Sequence, residues 1–386
     1  MKKKIFAALL VAVMAFTLAA CGNQEPSSDP QTGGSSAGTE QQGQVSDGAA
    51  GVDGEIRTTG PNGEQGVNAN TIQLTDAQKD EIKAGGYKVA IVMHYGGNDW
   101  ATAQINGIKD TCAELGMEVI AVTDANFSAE QQVSDIETVL ALDPDVIISI
   151  PVDATASADA YMQASKAGVK IVFMDNVAAG MTAGQDYVSC VSADGYGNGC
   201  VAAELIGEKL GGEGEVAMVY YDADFFATNL RDQGFKDTMA AKFPNIKIVS
   251  EQGFTDENGC NEQADAILTQ YPNIDGIYAS WDIPMEGVLS SVRAAGLEGQ
   301  IALATIDLGN NMALEIAKGA VLGVGAQLPY DQGVAETKLA ALSLLGEETP
   351  AFVVCPALRV ETANVCEAYE TVYHIDAPDW LTEAAQ

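Results

Sequence analysis

The feature that most constrains the fold of this sequence is a regular alternation of short apolar runs with longer segments of helical periodicity. Residues 89–93 and 146–150 are almost entirely apolar, as expected for strands that are buried on both faces. Apolar residues recur at helical spacing over 98–115. Strands that alternate with helices of ten or more residues predict βα units and parallel sheets.

The alternation occurs in two successive sets. The strand candidates are 89–93, 119–122, 146–150 and 169–174 in the first set, and 215–221, 246–250, 275–280, 301–306 and 321–326 in the second. The main helix candidates are 98–115, 155–167, 194–210, 226–242, 258–270, 283–295, 309–318 and 331–345. Two such sets predict an α/β fold with two doubly wound lobes, each built on a parallel sheet.

The N-terminal residues have the pattern of an export signal. Lys2, Lys3 and Lys4 precede an apolar run over 5–20, and small residues precede Cys21, so 1–20 are predicted to be a signal peptide. The ending at Cys21 resembles the bacterial lipoprotein signal, which implies lipidation of that cysteine. An ordinary secretory site with an incidental cysteine is the alternative. The Gly-, Ser- and Gln-rich composition of 21–70 predicts a disordered tether.

Charge and cysteine content exclude several classes of function. The net charge of −35 makes nucleic-acid binding untenable, because that function needs basic surface to neutralise phosphate. Six cysteines follow Cys21, without a CxxC motif or zinc-ligand spacing, so no metal and no cofactor are expected. We expect mostly buried free thiols. Disulfides between the pairs that are closest in sequence, Cys190 with Cys200 and Cys355 with Cys366, are the alternative.

Polar and aromatic residues follow the predicted strands, where parallel sheets bind ligands. The candidate ligand-binding residues are Asn98, Trp100, Asp175, Asn176, Arg231, Trp281, Asp282, Asp307 and Gln327. This set contains no nucleophile with a neighbouring base. Carboxylates, amides and a guanidinium suit a neutral polyhydroxylated ligand, because each hydroxyl both donates and accepts hydrogen bonds. Trp100 and Trp281, in different lobes, could enclose a sugar ring between them.

Each of these residues also has an ordinary structural role. Asp, Asn and Gly after strands commonly form turns and helix caps. Trp100 could cover the first helix, and Arg231 could form a surface ion pair of little energetic consequence. The interpretation as a binding site therefore rests on the joint pattern.

The same segments make the chain similar to the type I periplasmic binding proteins, in particular the ribose/galactose-like group, over essentially all of 87–375. The matching segments are Asn98–Trp100, Ile150–Asp153, Phe173–Asn176, Leu230–Phe235, Ala279–Asp282, Thr305–Asp307, Ala326–Pro329 and Leu358–Val365. The chain departs from the ribose pattern at four positions: Ile150, Ala101, Asn176 and Trp281 stand where asparagine, phenylalanine, arginine and asparagine are usual. These departures argue against ribose itself and leave a pyranose, polyol or related molecule.

The resemblance implies a non-enzymatic, monomeric solute-binding protein. It would be lipid-anchored on the extracellular face of the bacterial membrane and would deliver a monosaccharide or polyol to an ABC permease. Presenting the ligand to a sensory or chemotaxis receptor is the alternative. The expected N-terminal lobe is 71–192 plus 328–355, and the C-terminal lobe is 193–327 plus 356–386. The chain would cross between them near 191–194, 327–330 and 354–358, forming a three-strand hinge.

Overall fold

The computed structural model describes residues 54–386 and contains two sheets. The first sheet consists of β1 (Val67–Asn68), β2 (Lys88–Met93), β3 (Glu118–Asp124), β4 (Val146–Ser149), β5 (Lys170–Met174), β6 (Ser189–Ala193) and β12 (Phe352–Cys355). Its order is β1-β12-β6-β5-β4-β2-β3. Every neighbouring pair in this sheet is parallel.

The second sheet consists of β7 (Glu213–Tyr221), β8 (Asn245–Phe254), β9 (Gly276–Ala279), β10 (Ala302–Ile306), β11 (Gly323–Ala326) and β13 (Leu358–Glu361). Its order is β13-β11-β10-β9-β7-β8, and only β13 runs antiparallel to its neighbour among the described strands. The predicted α/β fold with doubly wound parallel sheets is thereby confirmed. We refer to each sheet with its covering helices as the first and the second lobe.

Helices connect and cover the strands. They are α1 (Asp76–Gly85), α2 (Asp99–Glu114), α3 (Ala129–Leu140), α4 (Ala158–Lys166), α5 (Gly195–Lys209), α6 (Phe226–Lys242), α7 (Asn261–Gln270), α8 (Asp282–Ala294), α9 (Asn310–Ala317), α10 (Pro329–Leu344), α11 (Val365–Tyr373) and α12 (Asp379–Ala384). The sequence explains several starts: Thr75 and Gln78 form a capping box before α1, and the Ser128 side chain caps α3. No helix in this described part is both long and apolar enough to cross a bilayer.

The chain passes between the sheets at three places. β6 leads into α5, β11 leads into α10, and β12 leads directly into β13. Glycines allow close helix packing beside these crossings. A Cβ on Gly107 of α2 would collide with the Tyr330 carbonyl of α10, and one on Gly199 of α5 would collide with the Arg231 carbonyl of α6. All described residues belong to one compact unit, and the predicted lobe boundaries remain a prediction.

The end of the predicted tether differs from the sequence prediction. Within 54–70, Thr58 is buried, Ile56 packs against the core of the first lobe, and β1 extends the first sheet beside β12. A few apolar and hydroxyl side chains are therefore enough to dock a segment whose composition is otherwise that of a linker. The predicted signal peptide 1–20, Cys21 and the rest of the tether to residue 53 lie outside the described residues.

Candidate functional site

Two aspartates at strand ends are held in an unusual backbone conformation. Asp175 follows β5 in the first lobe with φ of 50°, and Asp307 follows β10 in the second lobe with φ of 71°. Few residues other than glycine adopt positive φ, and such positions cluster at ligand sites. Both residues are buried, at 3% and 8% exposure.

Asp307 is the centre of a buried polar network in the second lobe. Its Oδ1 accepts a hydrogen bond from Gln327 Nε2 at 2.7 Å, and its Oδ2 accepts one from Arg231 Nη1 at 3.4 Å. Arg231 also donates to the Ser280 carbonyl at 3.2 Å. Burial raises the pKa of Asp307, while the Arg231 guanidinium opposes that rise. Gln327 Oε1 and Arg231 Nε lack hydrogen-bond partners among the described residues.

Asp175 carries the corresponding carboxyl group of the first lobe. Its Oδ1 accepts hydrogen bonds from Ser192 Oγ at 2.9 Å and from Gln332 Nε2 at 3.3 Å. Burial raises its pKa, Arg231 opposes the rise, and the like charge of Asp307 adds to it. Arg231 is therefore paired directly with Asp307 of its own lobe and acts through its charge on Asp175 of the other.

Asp282 is the first residue of α8 and lies on the cavity wall. Its Oδ1 accepts a hydrogen bond from its neighbour's amide, Ile283 N, and its Oδ2 accepts one from Gly309 N, both at 2.9 Å. Burial raises its pKa well above the usual range, and the nearby Asp307 raises it further. Negative charge at the start of α8 is favourable because of the helix dipole.

A very small cavity of about 10 Å³ lies where the lobes meet. Its wall contains Asn98, Trp100, Asp282, Asp307, Leu308, Gly309, Gln327, Pro329, Val372 and Tyr373. Ligand pockets usually begin at roughly 300 Å³, so this space has room for about one water molecule and not for a sugar. Beside it, Asp99 of the first lobe accepts hydrogen bonds from Asn310 of the second, with N–Oδ2 of 2.7 Å and Nδ2–Oδ1 of 3.0 Å.

The two candidate tryptophans have different positions. Trp100 lies on the cavity wall, edge-on to His94, and its buried Nε1 has no partner among the described residues. Trp281 packs against Tyr221 and Phe254. Trp281 does not belong to the cavity wall among the described residues, so the structure does not bring the predicted pair together around it.

The two candidate asparagines both lie in the first lobe. Asn98 caps α2, since its Oδ1 accepts a hydrogen bond from Ala101 N at 2.8 Å, so the capping interpretation holds alongside its place on the cavity wall. Asn176 is buried, and its Oδ1 is without a partner in the described part of the chain. A ligand donor could satisfy that oxygen at little cost.

Sequence reasoning missed two residues near the site. Tyr373 reaches the cavity from α11 and donates to the Leu308 carbonyl at 2.7 Å. Glu257 is buried and accepts a hydrogen bond from Trp281 Nε1 at 3.0 Å. Tyr373 lies at the end of α11, away from any strand end, and Glu257 lies in a short turn after β8, whose end at Phe254 is four residues beyond the predicted strand 246–250.

Within residues 54–386 no cluster of three or more His, Cys, Asp or Glu side chains is arranged to hold a metal ion. The six cysteines of this part of the chain are all free. Five of them are buried, and burial raises the pKa of Cys112 to about 12, which makes that thiol a poor nucleophile.

His94 should make stability depend on pH. Burial lowers its pKa from 6.5 to about 3, so the unfolded chain binds a proton more readily than the folded one between these values. Stability should therefore fall as pH decreases from 6.5 towards 3, and the fall should be shallower in His94→Phe. Thermal unfolding of wild type and His94→Phe between pH 3 and 6.5 measures this difference in pH dependence. Parallel pH profiles would contradict a neutral buried His94.

Residues 89–348 match the family described as periplasmic binding protein domain. The ribose import binding protein RbsB of Bacillus subtilis is 29% identical over 260 residues, which cover 66% of this chain and 81% of that protein. The xylitol-binding protein of Mycolicibacterium smegmatis is 23% identical over 281 residues, with coverage of 72% and 79%.

A solved structure shows the same similarity in three dimensions. It is a periplasmic solute-binding protein of an ABC transporter from Actinobacillus succinogenes, with bound D-allose. The match has a TM-score of 0.67 and 26% sequence identity, and it covers 72% of this chain and 99% of that one.

Proposed function

The chain belongs to the family of periplasmic binding protein domains, and on this premise we propose that it captures a sugar or polyol between its lobes and delivers it to an ABC importer. Its relatives and structural neighbours are sugar-binding transport proteins and not enzymes, which confirms the prediction of binding without catalysis. Capture of one small ligand requires no second copy, so we propose a monomer.

The observation that supports this function most strongly is the set of buried polar groups shared by the two lobes. Asp175 and Asp307 offer carboxylate oxygens, Arg231 offers N–H donors, and Gln327 offers an unsatisfied oxygen. Neighbouring hydroxyls of a sugar match such alternating acceptors and donors. Asn98, Trp100, Asp282 and Asn176 complete the proposed contacts, with Trp100 covering an apolar ring face. We retain Trp281 as a contact made in a wider cleft.

The ligand is expected to be a single ring or a short polyol. The cavity of about 10 Å³ admits no sugar unless the lobes open, so the support for a small ligand comes from relatives that are named for ribose and xylitol. The unpartnered amide oxygen of Asn176, in place of an arginine, favours a ligand that donates a hydroxyl hydrogen at that position. A ligand lacking that hydroxyl would leave a buried acceptor unsatisfied and should be discriminated against.

We further propose that the mature protein is held at the extracellular face of the membrane through lipid on Cys21. The support is the signal pattern of residues 1–21. Two acyl chains give stable attachment, whereas one is marginal. Loss of membrane association in Cys21→Ser, with normal export, is the expected result.

The experiment that tests ligand capture is a thermal-shift screen. D-ribose, D-allose, D-arabinose, xylitol and myo-inositol should be compared, because a ligand that binds only the folded state raises its stability by mass action. At a hundredfold excess over Kd, the stabilisation is about 2.7 kcal/mol. At least one sugar or polyol should raise the unfolding temperature, and calorimetry should then give a one-to-one complex. If this panel and a wider set of monosaccharides produce no shift, the proposed function is wrong.

A further inference from the structure

Residues 54–68 form a segment that we name the N-terminal strap. It lies outside the region matched by the family, 89–348, and it runs along the crossings between the lobes. At one end, Gly54 packs against Pro356 in the connection from β12 to β13, where an added Cβ would lie 2.8 Å from the Pro356 Cβ. At the other end, Val67 pairs with Val353 of β12.

The centre of the strap binds the first crossing through Asp194. This aspartate is fully buried between β6 and α5. Its Oδ1 accepts a hydrogen bond from Thr58 Oγ1 at 2.6 Å, and its Oδ2 accepts one from Arg57 N at 2.8 Å. The Thr58 hydroxyl in turn accepts a hydrogen bond from Tyr196 N at 3.0 Å. Both polar functions of one buried hydroxyl are therefore used at the start of α5.

Asp194 also joins two crossings to each other. Its backbone N–H donates to the Cys355 carbonyl at 2.8 Å, and its Oδ1 accepts from Gly197 N at 2.9 Å as the cap of α5. The strap consequently contacts the first lobe through β1 and β12, and contacts the second lobe through the N-terminus of α5, which packs on β10 and β11.

We propose that the N-terminal strap is a hinge element whose hydrogen bonds to Asp194 and Tyr196 favour the conformation in which the lobes meet. The same conformation contains the contact between Asp99 and Asn310 beside the cavity. Rotation of α5 relative to the first sheet would change the distances around Thr58, because the strap is joined to that sheet through β1 whereas the Thr58 hydroxyl bonds to Asp194 and Tyr196 at the start of α5. Bonds present in only one of two conformations shift the population towards it.

Two measurements test the role of the strap. Ligand affinity rests on the proposed function, whereas small-angle scattering of the ligand-free protein does not. Thr58→Val removes the hydroxyl and keeps the shape, and Thr58→Ser is the matched control because it keeps both hydrogen bonds. Without ligand, we expect a larger radius of gyration for Thr58→Val than for wild type and Thr58→Ser. Affinity is then measured with whichever member of the panel (D-ribose, D-allose, D-arabinose, xylitol and myo-inositol) binds wild type. We expect Thr58→Val to bind it about tenfold more weakly than wild type, and Thr58→Ser to bind it as wild type does.

Hydrogen exchange of wild type provides a measurement that does not depend on the folding of a variant. The Arg57 and Tyr196 amides should exchange more slowly when that sugar is bound, because closure keeps their hydrogen bonds intact. Equal exchange with and without sugar would overturn the proposal, as would a folded Thr58→Val with wild-type radius of gyration and affinity. If no sugar binds wild type, the proposed function fails, and the scattering comparison still decides on the strap.

Discussion

Replacement of Arg231 by glutamine is expected to weaken sugar binding by at least about a hundredfold, the largest effect of any single substitution in the site. Arg231 is the cation that faces both Asp175 and Asp307, and it is 6% exposed. A hydrogen bond to a charged group contributes roughly 1.5–3 kcal/mol, and the guanidinium can make more than one to a ligand. Without the guanidinium, the rise in the pKa of Asp307 that burial causes would lose its main opposing charge.

The measurement is calorimetric titration with the sugar identified by thermal shift. Arg231→Lys is the matched control, because it keeps the charge but not the planar arrangement of donors. Its affinity for the sugar should lie between those of wild type and Arg231→Gln. Unfolding temperatures without ligand separate a loss of binding from a loss of fold. Wild-type affinity in a folded Arg231→Gln protein would remove Arg231 from the site.

Replacement of Asp175 by alanine should have the second-largest effect, weakening binding by about 1.5–3 kcal/mol or more. Its carboxyl group is oriented by Ser192 and Gln332 and held by a backbone with positive φ, so no other side chain can take its place. Removal takes away a buried acceptor for a ligand hydroxyl from the first lobe.

Asp153→Ala is the matched control for Asp175→Ala. Asp153 also follows a strand of the first lobe, but it is exposed and its Oδ1 accepts only from the neighbouring amides of Thr155 and Ala156, at 2.8 and 2.7 Å. Titration of both variants should show weaker binding for Asp175→Ala alone. Equal affinities would mean that the position after a strand does not identify a ligand contact here.

The sequence was sufficient for most of the fold because apolar runs mark strands that are buried on both faces. Three strands of the first sheet, β1, β6 and β12, were nevertheless not predicted. β6 contains Ser189 and Ser192, whose burial depends on neighbouring strands, and β12 is only four residues long. Polar composition and short length remove the periodic pattern by which a strand is recognised in sequence. Contacts with neighbouring strands determine that these segments form strands.

The residues of the candidate site also fall into two groups: those that the sequence indicated and those that it did not. Asp175 and Asp307 were selected because they directly follow strands, and the structure pairs Arg231 with Asp307, while the role of both aspartates as ligand contacts stays a prediction. Tyr373 and Glu257 were not predictable, since they reach the region from a late helix and a short turn. The docked end of the tether was missed because its burial depends on Asp194, more than 130 residues further along the chain.

The point at which the chain joins the folded part has a mechanical consequence. Because residues 54–58 lie beside Asp194 and Pro356, any force transmitted along the preceding chain acts close to the axis about which the lobes would rotate. A force applied at an axis has a short lever arm and exerts little torque. Tension in the chain that precedes residue 54 should therefore have little effect on the equilibrium between open and closed lobes.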